Sequence, residues 1–294
     1  MKKIRNVGYY LQKAREEQWA VPHFNFSSLA QLNGIVDVIR ELRIPALLGT
    51  SEGERAFVGM NQALALIKSF QNEGLPVFLN ADHCHSAESA IEAFEAGYDS
   101  IHIDLSKKPW EENLEETKRV VKYVKRKRSG ASVEGELGYL ATDSSKIYKE
   151  EIHIPEKSYT NADQAVEFVK KTGIDRLAPA IGTIHGIAAN TPHLRMELAK
   201  ELRTRLPDVD LVLHGGSGVG SGEIEEVVKI GFNNVHISTE VRVAFTNGVR
   251  RALAENKDET APHAYLGAGR KAVSALVREK IRLLGAINAW SDKP

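Results

Sequence analysis

The chain has little sulfur, no excess of either charge and no long apolar run, and each absence narrows what it does. A single cysteine, Cys84, among 294 residues excludes an internal disulfide framework and any cysteine-rich zinc module. Lysine plus arginine equals aspartate plus glutamate at 39 each. Phosphate binding usually shows as a basic excess, so neither nucleic acid nor a membrane surface is expected as the main partner. No uninterrupted apolar stretch approaches the roughly 20 residues needed to span a bilayer. The opening Met1-Lys2-Lys3-Ile4-Arg5 turns amphipathic and not into an apolar signal core, which makes the cytoplasm the expected location. Pro/Gly/Ser-rich linkers and low-complexity segments are also missing, so residues 1–294 read as one domain. A chain of this length buries about 75% of its unfolded surface and needs no metal merely to fold.

What is present is an alternation. Short apolar runs recur at Ala20–Phe24, Pro45–Gly49, Pro76–Asn80, Ser100–Ile103, Ala131–Leu137, Arg176–Ala180, Leu211–Leu213 and Asn234–Ile237. Each is followed by a helical pattern: Ser28–Leu42, Phe57–Asn72, Ala87–Ala96, Glu112–Lys125, Asp163–Lys171, Pro192–Leu202, Gly222–Ile230 and Thr239–Glu255. Runs apolar along their whole length suit strands covered on both faces of a parallel sheet. Eight such units predict an α/β fold, a (β/α)8 TIM barrel, with an extra C-terminal helix over about 267–284 in the extension 260–294. The longest loop, 138–160, reads as a lid or binding loop. The basic cluster Lys122, Lys125, Arg126, Lys127 and Arg128 falls where the fourth helix should end, where cations offset the helix dipole.

Histidines and acids gather at the C-terminal ends of these strands, the face where barrel enzymes place their sites. Asp82-His83 ends the third, Asp104 follows the fourth, and Glu134 and Glu136 lie two apart on one side of the fifth. His185 follows the sixth strand, His214 ends the seventh and His236 lies in the eighth. A lone histidine in such a place is usually a core residue. Several on separate strands among carboxylates suggest a metal centre, and three neutral imidazoles suit Zn2+ with one coordination position left open. His83, His185 and His214 are the expected ligands, with Glu136 a fourth when substrate is absent. Asp104 and Glu134 would orient them or hold a second metal. His85 is expected to begin the third helix. The remaining five, His23, His102, His153, His193 and His263, read as surface or capping residues.

The segment Gly215-Gly216-Ser217-Gly218-Val219-Gly220 follows a strand but fails as a dinucleotide fingerprint, because Ser221 stands at the third glycine position. Its backbone amides suit a phosphate instead. Ser238 or Thr239 can cap the helix after the eighth strand, and the same place is the recurring phosphate site of these barrels.

Taken together these segments resemble the class II, zinc-dependent fructose- and tagatose-bisphosphate aldolases, from about Val21 to Ile281. The pieces that carry the resemblance are Asn80-Ala-Asp-His, Asp104-Leu-Ser-Lys-Lys-Pro-Trp-Glu-Glu-Asn, Val133-Glu-Gly-Glu-Leu-Gly, Ala180-Ile-Gly-Thr-Ile-His-Gly and Leu213-His-Gly-Gly-Ser-Gly. The resemblance implies that Asp82 is the acid/base residue and that His83, His185 and His214 hold the catalytic zinc, with Asp104 and Glu134 at a second metal position. It implies that Gly186, Gly215, Ser217, Ser238 and Thr239 hold the phosphate of dihydroxyacetone phosphate, beside a monovalent cation, and that Asn25 and Ser51 line the substrate pocket. Family members commonly form homodimers or homotetramers.

The chain also departs from the family pattern. The mobile acid of the loop after Glu-Leu-Gly is missing, leaving Asp143 or Ser144 near its place. The eighth-strand asparagine that contacts substrate is His236. The C-terminal Asp-Pro-Arg is Ala261-Pro262-His263, and Ala188-Ala189 replaces a Tyr-Lys pair. An arginine–phosphate clamp is among the stronger charge-assisted contacts, so its replacement by His263 bears on the far end of the substrate. Two alternatives to a lyase stay open. One is a metal-loaded barrel without catalysis, in which His236 closes the vacant coordination position. The other is a zinc hydrolase in which Asp82 activates water.

Overall fold

A computed structural model describes residues 4–290 apart from Ser129, Ala141, Asp143, Ser144, Thr191 and Pro192. Eight strands, β1 (Val21–Asn25), β2 (Ala46–Thr50), β3 (Val77–Cys84), β4 (Ser100–Ile103), β5 (Ser132–Leu137), β6 (Arg176–Pro179), β7 (Asp210–Leu213) and β8 (Phe232–Ile237), close in sequence order into a barrel. Every pairing is parallel, and the seam between β1 and β8 sets His23 opposite His236. The helices are α1 (Val7–Glu17), α2 (Leu29–Leu42), α3 (Glu52–Val58), α4 (Met60–Asn72), α5 (Ala87–Ala96), α6 (Trp110–Lys127), α7 (Ala162–Thr172), α8 (Met196–Arg205), α9 (Ser221–Ile230), α10 (Thr239–Glu255) and α11 (Pro262–Leu283). The expected TIM barrel with a further C-terminal helix is therefore the fold observed.

Local chemistry explains the boundaries. Asn6, Ser28, Ser86 and Asn161 each accept a backbone N–H of the first turn of α1, α2, α5 and α7, satisfying a donor the helix leaves open. Most of the helix expected over Phe57–Asn72 is α4, and α3 is a further helix before it. Gly59, at φ +87°, breaks the chain between α3 and α4, a conformation an L side chain rarely adopts. α3 itself starts in a capping box, with Ser51 accepting from Glu54 N and Glu54 accepting from Ser51 N. Phe57, where the expected helix began, is 80% exposed. The cluster at the end of α6 is engaged locally: Lys125 pairs with Asp175 at 2.6 Å, Lys127 pairs with Glu95 at 2.7 Å, and Arg128 donates to the Gly97 carbonyl.

The helix α11 closes the outside of the barrel against α2 and α10. Close approach is possible because small residues face it. A Cβ on Gly34 would lie 2.7 Å from the Arg270 carbonyl, and one on Gly248 would lie 2.8 Å from that of Ala268. Val273, Val277 and Ile281 of α11 are fully buried there. Replacing Ile281 with alanine should cost about 2–5 kcal/mol through lost burial and an unfilled cavity. Denaturant unfolding measures it, and a change below about 0.5 kcal/mol would mean that α11 is not part of the core.

Candidate functional site

Of the residues given acid/base, metal or substrate roles above, all but Glu134 line one cavity of about 360 Å3 at the C-terminal mouth of the barrel. Three side chains converge there by different routes. His214 leaves the end of β7, His185 leaves the loop after β6, and His83 comes from within β3. Strand neighbours normally face opposite ways, so Asp82 and His83 should not both enter the barrel. They do because His83 takes φ +45° and the β3–β4 register shifts between Ala81 and Cys84. A left-handed non-glycine residue costs about 1–3 kcal/mol and is retained where its surroundings fix it. Here Asp104 Oδ2 holds His83 Nδ1 at 2.9 Å. The ring centroid of His83 lies 4.8 Å from that of His185 and 4.8 Å from that of His214, with 6.3 Å between the latter two.

Carboxylates surround these rings. Asp82 Oδ2 accepts from Asn25 Nδ2 at 2.9 Å, while its Oδ1 has no hydrogen-bond partner among the described residues. Glu134, beneath the cavity, meets His214 Nε2 at 2.6 Å through Oε1 and Arg176 Nη1 at 2.8 Å through Oε2. Glu136 Oε2 lies 3.2 Å from His102 Nε2. Asn25 is itself held by Glu54 at 2.8 Å, and Arg242 pairs with Glu54 at 2.7 Å.

Burial and neighbours set the charge states. Burial alone would raise the Asp82 carboxyl, but the His83 imidazole beside it, with His102, holds it well below the usual range. Burial lowers His185 to about 3, with His83 adding to the effect. It also depresses His214, together with His102 and His83. Both rings are therefore neutral near pH 7, as a metal ligand must be. Glu136 is pushed upward by burial and by Asp104.

On the side formed by the β6–β8 loops, Gly186, Gly215, Ser217, Ser238 and Thr239 line the same cavity. Gly215 stands at φ +64°, and a Cβ there would lie 2.3 Å from the Ile184 carbonyl, so only glycine fits. Ser217 Oγ accepts from Glu240 N at 3.2 Å. Of the two candidates for a cap on α10, Ser238 stands at the capping position but makes no side-chain cap, and Thr239 is the first helical residue. The Ser238 backbone takes helical angles instead of the extended ones a capping residue needs, and its buried hydroxyl has no partner among the described residues. Thr239 Oγ1 accepts from Ser145 N at 3.3 Å, tying the loop after β5 across this end.

Several expectations need correction. His23 and His102 are not surface or capping residues; both are fully buried inside the barrel. His102 Nδ1 accepts the His83 amide at 3.3 Å, and His23 stacks on His236 with centroids 3.6 Å apart. The signal was present, since His102 stands two residues before Asp104 and so shares its face of the strand. The buried Arg176, at the start of β6, carried no such signal. His85 precedes the third barrel helix, whose cap is Ser86. His263 is exposed in the first turn of α11 and does not line the cavity. Asp143 and Ser144 lie outside the described residues.

An eight-stranded parallel barrel whose mouth collects imidazoles, carboxylates and a glycine-lined cradle carries groups that could hold a metal ion. The family model for class-II fructose-bisphosphate aldolase matches residues 5–289. A probable fructose-bisphosphate aldolase from Bacillus subtilis is 34% identical over 284 residues, covering 95% of this chain and 96% of that protein. A fructose-bisphosphate aldolase from Staphylococcus aureus is 34% identical over 281 residues, covering 94% and 95%. Among solved structures, the YdjI aldolase of Escherichia coli superposes with a TM-score of 0.80 at 29% identity, over 97% of this chain and 98% of that one. The chain belongs to the class II fructose-bisphosphate aldolase family, a family of carbon–carbon lyases.

The depressed histidines make a pH prediction for the metal-free protein. An unfolded His185 takes up its proton below about 6.5 and the folded one only near 3. Between those values the unfolded state binds more protons, so stability falls as pH falls. His185→Gln removes one such group, and its unfolding free energy should decline less steeply than wild type between pH 6.5 and 4. Equal slopes in denaturant titrations would contradict the buried neutral state.

Proposed function

We propose that the protein is a zinc-dependent aldolase that reversibly cleaves a ketose phosphate or bisphosphate to dihydroxyacetone phosphate and an aldehyde. The observation that carries this reading is the convergence of His83, His185 and His214 beside Asp82, within ring distances of 4.8 to 6.3 Å. His83 and His214 share a group of ligand atoms within 4.8 Å of one another, with Asp82 and His102, and His185 stands outside that group. His83 Nδ1 donates a hydrogen bond to Asp104, and Asp82 and Asp104 raise the ring's pKa against burial, so Nε2 offers its lone pair once the ring's second proton leaves. His214 engages Glu134 through Nε2 and keeps Nδ1. His185 Nε2 is buried with no partner among the described residues. Such imidazoles, oriented by carboxylates behind them, form a recurring zinc environment. Asp104, Glu134 and Glu136 would tune these ligands or hold a second ion. Zinc bound there supplies Lewis-acid polarisation of the ketose carbonyl, worth several kcal/mol.

The chain's own residues account for the rest. Breaking the bond between the third and fourth carbons requires a base for the proton of the hydroxyl on the fourth. Asp82 is ionised, anchored through Oδ2 by Asn25, and keeps Oδ1 free to accept it. General acid–base help of this kind is worth about 10²–10⁴ in rate. The unpartnered Ser238 hydroxyl, Ser217, Thr239 and the close-packed backbone at Gly186 and Gly215 would take the phosphate, at the N-terminus of α10, where backbone amides favour an anion. A monovalent cation beside the phosphate belongs to the same reading. Anchoring the phosphate away from the breaking bond positions the substrate. Asn25, Ser51 and His236 face the remainder of it. A homodimer or homotetramer, working in the cytoplasm, completes the proposal.

A panel of ketose mono- and bisphosphates, assayed for aldehyde release with and without a chelator, tests this. Turnover of at least one member, lost on chelation, is expected; none with zinc fully loaded would contradict it. Asp82→Ala should retain zinc and lower turnover by about 10²–10⁴, whereas His214→Ala should lose both. An unchanged rate in Asp82→Ala would mean that another group is the base.

A further inference from the structure

Arg176 has no part in the mechanism above, yet it sits fully buried within the barrel. Its Nε donates to Ser132 Oγ at 3.1 Å, Nη1 to Asn234 Oδ1 at 3.0 Å, and Nη2 to Asn80 Oδ1 at 3.3 Å and to Ser100 Oγ. Nη1 also pairs with Glu134 Oε2 at 2.8 Å. Three of these partners, Glu134, Asn234 and Asn80, each touch a different histidine of the centre.

Each contact has one consistent proton assignment. A Glu134 carboxylate paired with a guanidinium only accepts hydrogen bonds. His214 Nε2, 2.6 Å from Glu134 Oε1, must therefore carry the proton, leaving the lone pair on Nδ1. Asn234 presents Oδ1 to Arg176 while its Nδ2 donates to the Val21 carbonyl at 2.8 Å, so its amide cannot be turned round. His236 Nε2, 3.2 Å from that Oδ1, is then the donor, and Nδ1 keeps a lone pair 3.5 Å from Asp82 Oδ1. Asn80 presents Oδ1 to Arg176 and to Ser100, which leaves Nδ2 to donate to His23 Nε2 at 3.0 Å. His23 therefore carries its proton on Nδ1.

We infer that Arg176 is a positioning residue that, through Glu134, Asn234 and Asn80, fixes the tautomers of His214, His236 and His23. The consequence is specific. Two imidazoles on the cavity side present lone pairs, while His23, stacked beneath His236, presents an N–H. A neutral histidine left without these partners exchanges between its two tautomers, and each ring would then face the cavity with the wrong nitrogen part of the time. The inference rests on the metal-centre reading only for its effect on zinc; the proton assignment belongs to the metal-free chain.

Long-range proton–nitrogen correlation spectra of metal-free protein labelled with 15N-histidine read each tautomer directly, and chelator competition reads zinc affinity. Wild type should show a single Nε2–H form at His214 and at His236 and a single Nδ1–H form at His23. Arg176→Met should mix the forms at all three and weaken zinc binding by about 10–100-fold, the range for lost supporting contacts behind a ligand. Arg176→Lys keeps a cation beside Glu134 but not the fork. It should hold His214 and most of the zinc affinity while mixing His23 and His236. Should Arg176→Met fail to fold, the lysine variant decides. Wild-type tautomers at His23 and His236 in that variant would overturn the inference, as would an Nδ1–H His214 in wild type, or a folded Arg176→Met with unchanged tautomers and zinc affinity within threefold. Failure of every ketose phosphate to react would sink the aldolase reading and leave these spectra unaffected.

Discussion

Ionised carboxylates inside a barrel require positive charge or N–H groups to meet them, because an unpaired buried charge costs far more than a fold can absorb. That requirement organises this structure. Asp82 is met by Asn25, Asp104 by His83, and Glu134 by Arg176 and His214. Each pairing turns a side chain that would otherwise rotate freely, so the charges and the ring orientations are fixed together. Unpartnered ring nitrogens and the free oxygen of Asp82 are what remains, among the described residues, once those pairings are made.

The same logic separates two ends of the cavity. At the β6–β8 end, glycines without Cβ and hydroxyls with few partners leave room and donors for an anion. Across the mouth, Asn25, Ser51 and Glu54 form a connected polar network backed by Arg242. The substitution at 261–263 removes the arginine that family members place near a distal phosphate, and His263 does not approach the cavity of its own chain.

Much of this was legible in the sequence, and the misses have physical causes. Strands buried on both faces announce themselves as unbroken apolar runs, which is why all eight were found with ends displaced by a few residues. The site face followed, since chemistry collects where strands end. Judging histidines by strand ends alone hid His23 and His102, which lie within strands and point inward by simple alternation. Arg176 was hidden for a different reason: a lone arginine at the start of a strand reads as surface, and only the closed barrel shows that it meets four strands at once. The left-handed turn at His83 is a tertiary feature, stabilised by Asp104 from another strand, and no local pattern encodes it. By contrast α3 does have a local signal, the Ser51–Glu54 capping box.

X-ray absorption at the zinc edge of the loaded protein tests the central claim most directly. The account predicts a first shell of nitrogen and oxygen at about 2.0–2.2 Å, with multiple-scattering features of three imidazoles that fall to two in His185→Gln. A shell containing sulfur, or one with fewer than three imidazoles in the wild-type chain, would contradict it.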